Sequence, residues 1–551
     1  MKNSTSPTAI SIPTITLCTW LLAVLCLPAS ISAQAKPADH IAELQVQSAQ
    51  SNTNIWGHWG PDREKYSSWT THSNRLIPVY TFGLSLDAVR GVNSPYRDEQ
   101  RLTDLYGSLP VKTLNPKAEY FDQTDIYRLQ KMAAEEGKKR IIVFVFDGMD
   151  WQTTRAAAIA KARQVTYDSG RGSGLHFQDY RGAKTDFGFF VTSPHNDGTS
   201  VNVDKQIVTN PGGKLAGGYD VARGGPNPWQ ASDDLLYPIG KSETDAHAYT
   251  DSAASATSLF AGIKTYNDAV NVDFSGREAI PISRLLQADG FAVGVVTSVP
   301  ISHATPACAY ANNVHRNDYQ DLTRDLLGLP SVFHPGALPG VDVLLGCGWG
   351  QSSQKDGGQG KNFVPGNRYV TAADLASASV ASGGKYVVAQ RTPGKSGSQV
   401  LDAAVEQATA GQHRLFGYFG ATGGHLPYRT ANGDYSPVRS VGNPKTAQAE
   451  VYTPADLNEN VNLSEMTLAA MQVLDARSDR WWLMVEAGDV DWANHANNID
   501  NSIGATISGD DAFKSATDWI EQNGGWDDTA LILTADHGHY LVIDKPEMLA
   551  R

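Results

Sequence analysis

Ile141-Ile142-Val143-Phe144-Val145-Phe146-Asp147-Gly148-Met149 is an apolar run that stops at a carboxylate and a glycine. Unbroken hydrophobicity, rich in β-branched and aromatic side chains, is the pattern of a strand buried on both faces of a parallel sheet. The pattern recurs downstream: Leu483 to Val485 leads to Glu486, and Leu531 to Leu533 leads shortly to Asp536. Phe291 to Thr297 reads as another core strand, running on to Ser302-His303-Ala304-Thr305-Pro306. Pro306 suits a first helical position there, with Thr305 as N-cap. Open parallel sheets bind ligands beyond the carboxyl ends of their strands. The expected fold is therefore α/β, a three-layer sandwich with a large, mostly parallel central sheet flanked by helices, plus an inserted cap or side lobe.

The 551 residues suffice for one large α/β domain with insertions or for two ordinary domains. Lys2, the apolar stretch from Leu17 to Leu27 and the small residues up to Ala33 and Ala35 predict a signal peptide over 1–33. The apolar run is shorter than the ~20 residues that span a bilayer, so export to a periplasmic or extracellular location is expected, without stable membrane insertion. Cys18 and Cys26 fall in that leader; Cys308 and Cys347 form either one disulfide or two buried thiols. With 45 Lys and Arg against 58 Asp and Glu, the net charge of -13 argues against nucleic acid as a partner. An anionic substrate would need local positive charge from metal ions or a placed Arg.

Residues 34–140 read as an N-terminal segment and 141–551 as the main domain. The Gly-, Asp- and Asn-rich stretch 169–228 is expected to be an inserted excursion. The interval 330–463 mixes strand-like pieces, Val341 to Leu345, Tyr386 to Ala389 and Leu415 to Phe419, with Gly- and Ser-rich loops; it is expected to be a cap or side lobe, although its Val341 strand could belong to the main sheet.

The chemistry gathers in short clusters. Asp491 and His495, four apart, share a face on a helical turn and suit one metal ion, while Glu486 can face a different one. Taken alone, such a spacing more often marks solvated loop carboxylates and a capping His. Asp536-His537 follows a strand, where a turn can aim both side chains at one ion. Asp147 is either another ligand or a helix cap. Ser252 lies where Asp251 caps a small-residue helix that stops at Gly262. A hydroxyl at that end meets backbone N–H groups and the positive end of the helix dipole, which favours phosphate. Hydroxyls are poor nucleophiles near neutral pH, and no GxSxG surrounds Ser252, so a metal is the better activator.

Together these motifs resemble the alkaline phosphatase family. The nucleophile motif stands as Asp251-Ser252-Ala253-Ala254-Ser255-Ala256-Thr257, continuing into Gly262-Ile263-Lys264-Thr265-Tyr266-Asn267. His303-Ala304-Thr305-Pro306 matches the segment that supplies a magnesium-binding Thr, and Arg316 falls at the spacing of a phosphate-gripping Arg. The resemblance implies a metal-dependent phosphomonoesterase with a phosphoserine intermediate, acting on small-molecule phosphate esters, and leaves a homodimer open. Its cofactors would be two Zn2+ and one Mg2+. Asp147, Asp536 and His537 would hold the zinc that contacts Ser252; Asp491 and His495 would hold the other. Asp147, Thr305 and Glu486 would hold magnesium, with His303 in its water shell. For Arg316 to reach the site, the helix after Thr305 must bend, near Asn312-Asn313.

One departure matters. In this family a His well downstream of the Asp-His pair completes the second zinc site, whereas this chain ends at Arg551. Trp69 to Gly83, containing His72 and Pro78-Val79-Tyr80, resembles that downstream segment, and Gln123 to Ala134 resembles the family's terminal helix. Either the chain is truncated, with His72 an ordinary loop residue, or, as expected here, it is circularly permuted, with His72 as the missing ligand and Pro78 at a strand end or sheet edge. Competing expectations are a phosphodiesterase of the same superfamily and a noncatalytic phosphate- or metal-binding surface protein. A sulfatase is disfavoured because CxPxR is absent.

Overall fold

The computed structural model describes residues 39–230, 232–241, 246–441 and 448–551, so the expected signal peptide lies outside the described residues. Ten strands make the central sheet: β1 (Ile77–Phe82), β2 (Phe121–Asp122), β3 (Arg140–Phe146), β4 (Thr185–Val191), β5 (Ala292–Pro300), β6 (Val343–Cys347), β7 (Tyr386–Gln390), β8 (Arg414–Tyr418), β9 (Trp481–Ala487) and β10 (Thr529–Thr534). Their spatial order is β7-β8-β6-β5-β9-β3-β10-β1-β4-β2. Only β1 runs against its neighbours, pairing antiparallel with both β10 and β4. From β7 through β10 every pairing is parallel.

The continuous apolar runs occupy the middle of this sheet, as their sequence requires. β9 and β10 are buried at every residue, and β3 is buried from Ile141 to Phe146. Burying each such aliphatic or aromatic side chain contributes about 1.5–3 kcal/mol.

Helices cover both faces. The relevant ones are α1 (His40–Ser51), α2 (Asp125–Glu135), α3 (Trp151–Ala162), α4 (Ser252–Ala261), α5 (Ala304–Cys308), α6 (Gly397–Gly411), α7 (Leu463–Arg477), α8 (Asp489–His495) and α9 (Ile499–Gln522). α6, α7 and α9 pack on one side, while α2, α4 and α5 pack on the other. Adjacent tryptophans of β9 mark the two layers. Trp481 meets Trp519 of α9, whereas Trp482 donates its indole N–H to Gln130 of α2 at 2.9 Å.

The N-terminal segment is woven into this domain. Gly57–Trp59 pairs antiparallel with Leu541–Ile543, and His72–Ser73 pairs with Gly538–His539. α1 adds Ile41 and Leu44 to an apolar cluster with Ile499, Ile503 and Leu541. Pro78 meets its constraint by position: the β10 ladder begins at Val79, so the missing N–H falls at the strand's end.

Two expectations about insertions need correction. Residues 169–228 include β4, which sits in the main sheet beside β1. Residues 330–463 include β6, β7, β8 and α6, so the interval contributes three strands and a covering helix to the main sheet rather than forming a side lobe throughout. These strands of five to seven residues lie between long Gly-rich loops, which hid β4 altogether and hid the place of β7 and β8 in the main sheet. Of the expected cap, it is the stretch after Gly420 that walls the cavity described below.

The turn after β5 also differs from expectation. His303, not Thr305, is the N-cap of α5, because the His303 carbonyl already accepts from Ala307 N at 3.0 Å. Thr305 therefore lies inside the helix. α5 ends at Cys308, and the chain then turns rather than bending as one helix, with Asn271 donating to the carbonyls of Cys308 and Ala311. Cys308 and Cys347 are buried free thiols.

Candidate functional site

Every cluster found in the sequence arrives at the same end of the sheet. Asp147 follows β3 directly. Gly148 then turns the chain at φ +69°, where a Cβ would come within 2.9 Å of His539 and 3.1 Å of Asp491 Oδ1. Only glycine fits so close an approach. Asp147 is not a helix cap; Asp150 caps α3, accepting from Thr153 N at 2.9 Å. Glu486 is the second-to-last residue of β9 and accepts from the Thr297 hydroxyl of β5. Asp491 and His495 stand on α8, with His495 Nε2 3.4 Å from Asp491 Oδ1. Asp536 and His537 follow β10.

Ser252 opens α4. Asp251 caps that helix, accepting from Ala254 N at 2.9 Å, and Gly262 ends it in the left-handed region at φ +69°. Ser252 Oγ lies 3.1 Å from His537 Nε2, which is itself 3.1 Å from Asp147 Oδ1. Arg316 reaches back from the loop beyond α5 and donates to Asp251 Oδ2 at 2.8 Å. One carboxylate thus caps the serine's helix and fixes the guanidinium. His303 Nε2 lies 3.4 Å from Arg316 Nη2.

The ligand atoms fall into two groups, each packed within 4.8 Å: Asp147, Asp536 and His537 in one; His72, Asp491, His495 and His539 in the other. The N-terminal His72 is therefore in the site, its Nε2 3.1 Å from that of His495 and 3.8 Å from Asp491 Oδ1. The Thr70 carbonyl lies 2.6 Å from His495 Nδ1 and fixes that ring. Glu486 belongs to neither group, and Thr305 is buried nearby on α5.

The polar bookkeeping is what distinguishes this place from a structural network. Asp147 Oδ2 and Glu486 Oε1 are buried with no hydrogen-bond partner among the described residues, and Asp147 Oδ1 and Asp536 Oδ2 face only the His537 ring, at 3.1 and 3.6 Å. Buried carboxylates so poorly partnered cost several kcal/mol each. Burial and the charges of Asp536, Asp491 and Glu486 push the Asp147 carboxyl well up. Burial, with Asp536 and Asp491, raises Glu486 to about 8 against the hydrogen bond from Thr297. Burial would also raise Asp491, but His495, His539 and His537 outweigh it and hold it well below the carboxylate range. Burial lowers His72, His539 and His303, the last two to about 3, so these imidazoles are neutral and ready to donate lone pairs. Neutral imidazoles beside poorly partnered carboxylates suit divalent cations, whose charge reverses the local penalty. The donor set fits metal ions.

His539 escaped the sequence reading. Its signal was present in Asp536-His537-Gly538-His539, since residues two apart on an extended chain share a face. Its Nε2 lies 2.7 Å from Asp491 Oδ1.

Ser252 borders a cavity of about 600 Å³ whose lining includes Arg316, His72 and His495 together with His425, Tyr428 and Trp492.

A family model for alkaline phosphatase matches residues 227–548, more than half of the chain. The alkaline phosphatase of Escherichia coli K12 is 29% identical over 327 residues, covering 57% of this chain and 63% of that protein. Alkaline phosphatase 3 of Bacillus subtilis is 27% identical over 289 residues, covering 52% of this chain and 49% of that one. The chain thus spans less than two thirds of these relatives' lengths. The crystal structure of Thermus thermophilus alkaline phosphatase aligns with 73% of this chain and 60% of its own, at 22% identity and a TM-score of 0.42. Ser252, Arg316, Glu486, Asp491, His495, Asp536 and His537 lie inside the matched range; His72 and Asp147 precede it.

Proposed function

The chain belongs to the alkaline phosphatase family, and from that premise we propose that it is a metal-dependent phosphomonoester hydrolase that releases inorganic phosphate through a phosphoserine at Ser252. The observation that carries this reading is the position of the Ser252 hydroxyl, at a helix N-terminus, 3.1 Å from His537 and in one cavity with Arg316. Small-molecule phosphate esters are the proposed substrates. The leader motif favours an exported protein, and no helix among the described residues is long and apolar enough to cross a membrane.

In this reading Asp147, Asp536 and His537 hold one zinc, and Asp491, His495 and His72 hold the second, with His539 packed against Asp491. Asp147, Glu486 and Thr305 hold magnesium, and His303 stands near it. The poorly partnered oxygens of Asp147, Asp536 and Glu486 support that assignment. When bound, such ions supply Lewis-acid charge for a developing oxyanion and lower the pKa of hydroxyl groups they touch. The chain's own groups do the rest. Arg316, fixed by Asp251, can grip two nonbridging phosphoryl oxygens at once. The N–H groups at the start of α4 favour the same negative charge. Ser252 Oγ loses its proton to solvent and forms a bond to phosphorus as the bond to the leaving oxygen breaks, and the alcohol departs with a proton from solvent. Water then breaks the serine–phosphorus bond, returning the hydroxyl and releasing phosphate.

His72 would stand in for the His that the family places downstream, in a circularly permuted arrangement. The antiparallel pairing of β1 with β10 and the His72–Ser73 ladder favour that reading, since they seat the N-terminal segment where a following strand would go.

The test is phosphate release from a monoester and a diester by the full chain, before chelation, after it, and after return of zinc and magnesium. The proposal expects monoester turnover that chelation abolishes and the metals restore. Activity indifferent to chelation, or confined to the diester, contradicts it.

A further inference from the structure

A phosphoryl group fills only part of the 600 Å³ cavity. Beside Ser252, Arg316, His72, Asp491 and His495, its lining includes aromatic rings. Trp492 is half-buried and stands edge-to-face with His303, centroids 5.7 Å apart, and with His425 at 5.1 Å. Tyr428 lies against His425 at 4.2 Å. Pro437 and Val438 complete this wall.

His425, behind these rings, is held by its own hydrogen bonds. His425 is almost wholly buried, with Nδ1 2.5 Å from the Leu426 carbonyl and Nε2 3.2 Å from Glu450 Oε1. Glu450 Oε2 accepts from the Tyr452 hydroxyl at 2.6 Å, and that hydroxyl oxygen accepts from Tyr428 N at 2.9 Å. This chain ties the segment at 450–452 to that at 425–428. It holds the Tyr428 and Trp492 rings in the cavity lining, beside the polar side chains of Glu450, Asn498 and Asn501. Trp492 directly follows Asp491 on α8, so the rings stand at a set distance from the reacting groups.

We propose that Trp492 and Tyr428 form a binding face for the leaving group, so that the site prefers phosphate monoesters of alcohols bearing a planar aromatic or heteroaromatic ring. The proposal rests on the phosphomonoesterase reading of the site, and adds the substrate class. Rings meeting an aromatic wall edge-on or offset gain modestly beyond their buried area, which corresponds to roughly threefold to tenfold in affinity.

Two nonhydrolysable probes, benzylphosphonate and methylphosphonate, separate the ring from the phosphoryl group. Their dissociation constants are measured by calorimetry on the zinc- and magnesium-loaded full chain, as wild type, Trp492→Leu and Trp492→Phe. The expected result is tighter binding of benzylphosphonate by the wild type, a preference that falls roughly threefold to tenfold in Trp492→Leu and survives in Trp492→Phe. An unchanged preference in Trp492→Leu, or none in the wild type, overturns the proposal. Turnover of benzyl and ethyl phosphate is followed in parallel. If the wild type hydrolyses both and the binding preference ignores Trp492, the leaving-group face is wrong and the phosphatase reading stands. If the preference follows Trp492 but neither ester is hydrolysed, the phosphatase reading is wrong and the ring-binding face stands. Failure to bind either phosphonate overturns both.

Discussion

His72 faces His539 across a two-residue antiparallel ladder, although 467 positions of chain numbering separate them. The pairing brings an N-terminal imidazole to Asp491 and His495, with the four ligand atoms packed together. If His72 is a ligand, replacing it by Ala removes one donor of a three- or four-donor site. Zinc per chain, measured after dialysis against a weak chelator, should fall by about one equivalent. An unchanged zinc content removes His72 from the assignment.

Gly148 is the narrowest point in the approach of β3 to the ligand groups. Gly148→Ala places a Cβ against His539 and Asp491 at a positive φ. The backbone conformation alone should cost about 1–2 kcal/mol, and the displaced rings should weaken metal binding as well. Denaturant unfolding with and without metal checks both parts. A variant as stable as wild type, with the same metal content, contradicts the geometry.

Removing metal should make stability depend on pH. Burial holds Asp147, Asp536 and Glu486 above their ordinary pKa, Glu486 at about 8. A carboxyl raised in the folded chain contributes stability that is fully present below its unfolded pKa and lost as pH rises through its folded value. Asp491, held low, loses its contribution only in more acidic solution and does not offset this rise. The chelated chain should therefore melt at progressively lower temperature from about pH 4.5 to about pH 8.5. Zinc and magnesium should flatten that slope. Parallel melting curves with and without metal contradict a cation site built on these carboxylates.

Asp251 serves two groups at once, so Asp251→Asn should separate them. The amide oxygen can still cap α4, but Arg316 loses its anionic partner. Inorganic phosphate should bind more weakly, by roughly twofold to tenfold, the equivalent of about 0.5–1.5 kcal/mol. Inhibition by added phosphate reads this directly, and an unchanged inhibition constant rejects the positioning role.

Much of the site was legible because a buried parallel strand ending in a carboxylate is a local pattern. Asp147, Glu486 and Asp536 could each be placed from a few neighbouring residues, and the Asp251–Gly262 helix from its cap and stop. Other features depended on long-range contact. β4 and the strands between 330 and 463 are short runs among Gly-rich loops, and what identifies them is the neighbour each pairs with. His539 lies two residues beyond a recognised ligand but needs Asp491, 48 residues earlier, to reveal its role. The ring wall joins Tyr428, Glu450 and Trp492 through contacts that no spacing encodes.

Ser252 as the nucleophile is the centre of the account. The chain is mixed with a phosphate monoester labelled in its phosphoryl group, at mildly acidic pH, then quenched, digested and mapped. The account predicts acid-stable label on the peptide carrying Ser252 and none in Ser252→Ala. Label on another residue, or ester hydrolysis that persists undiminished in Ser252→Ala, contradicts it.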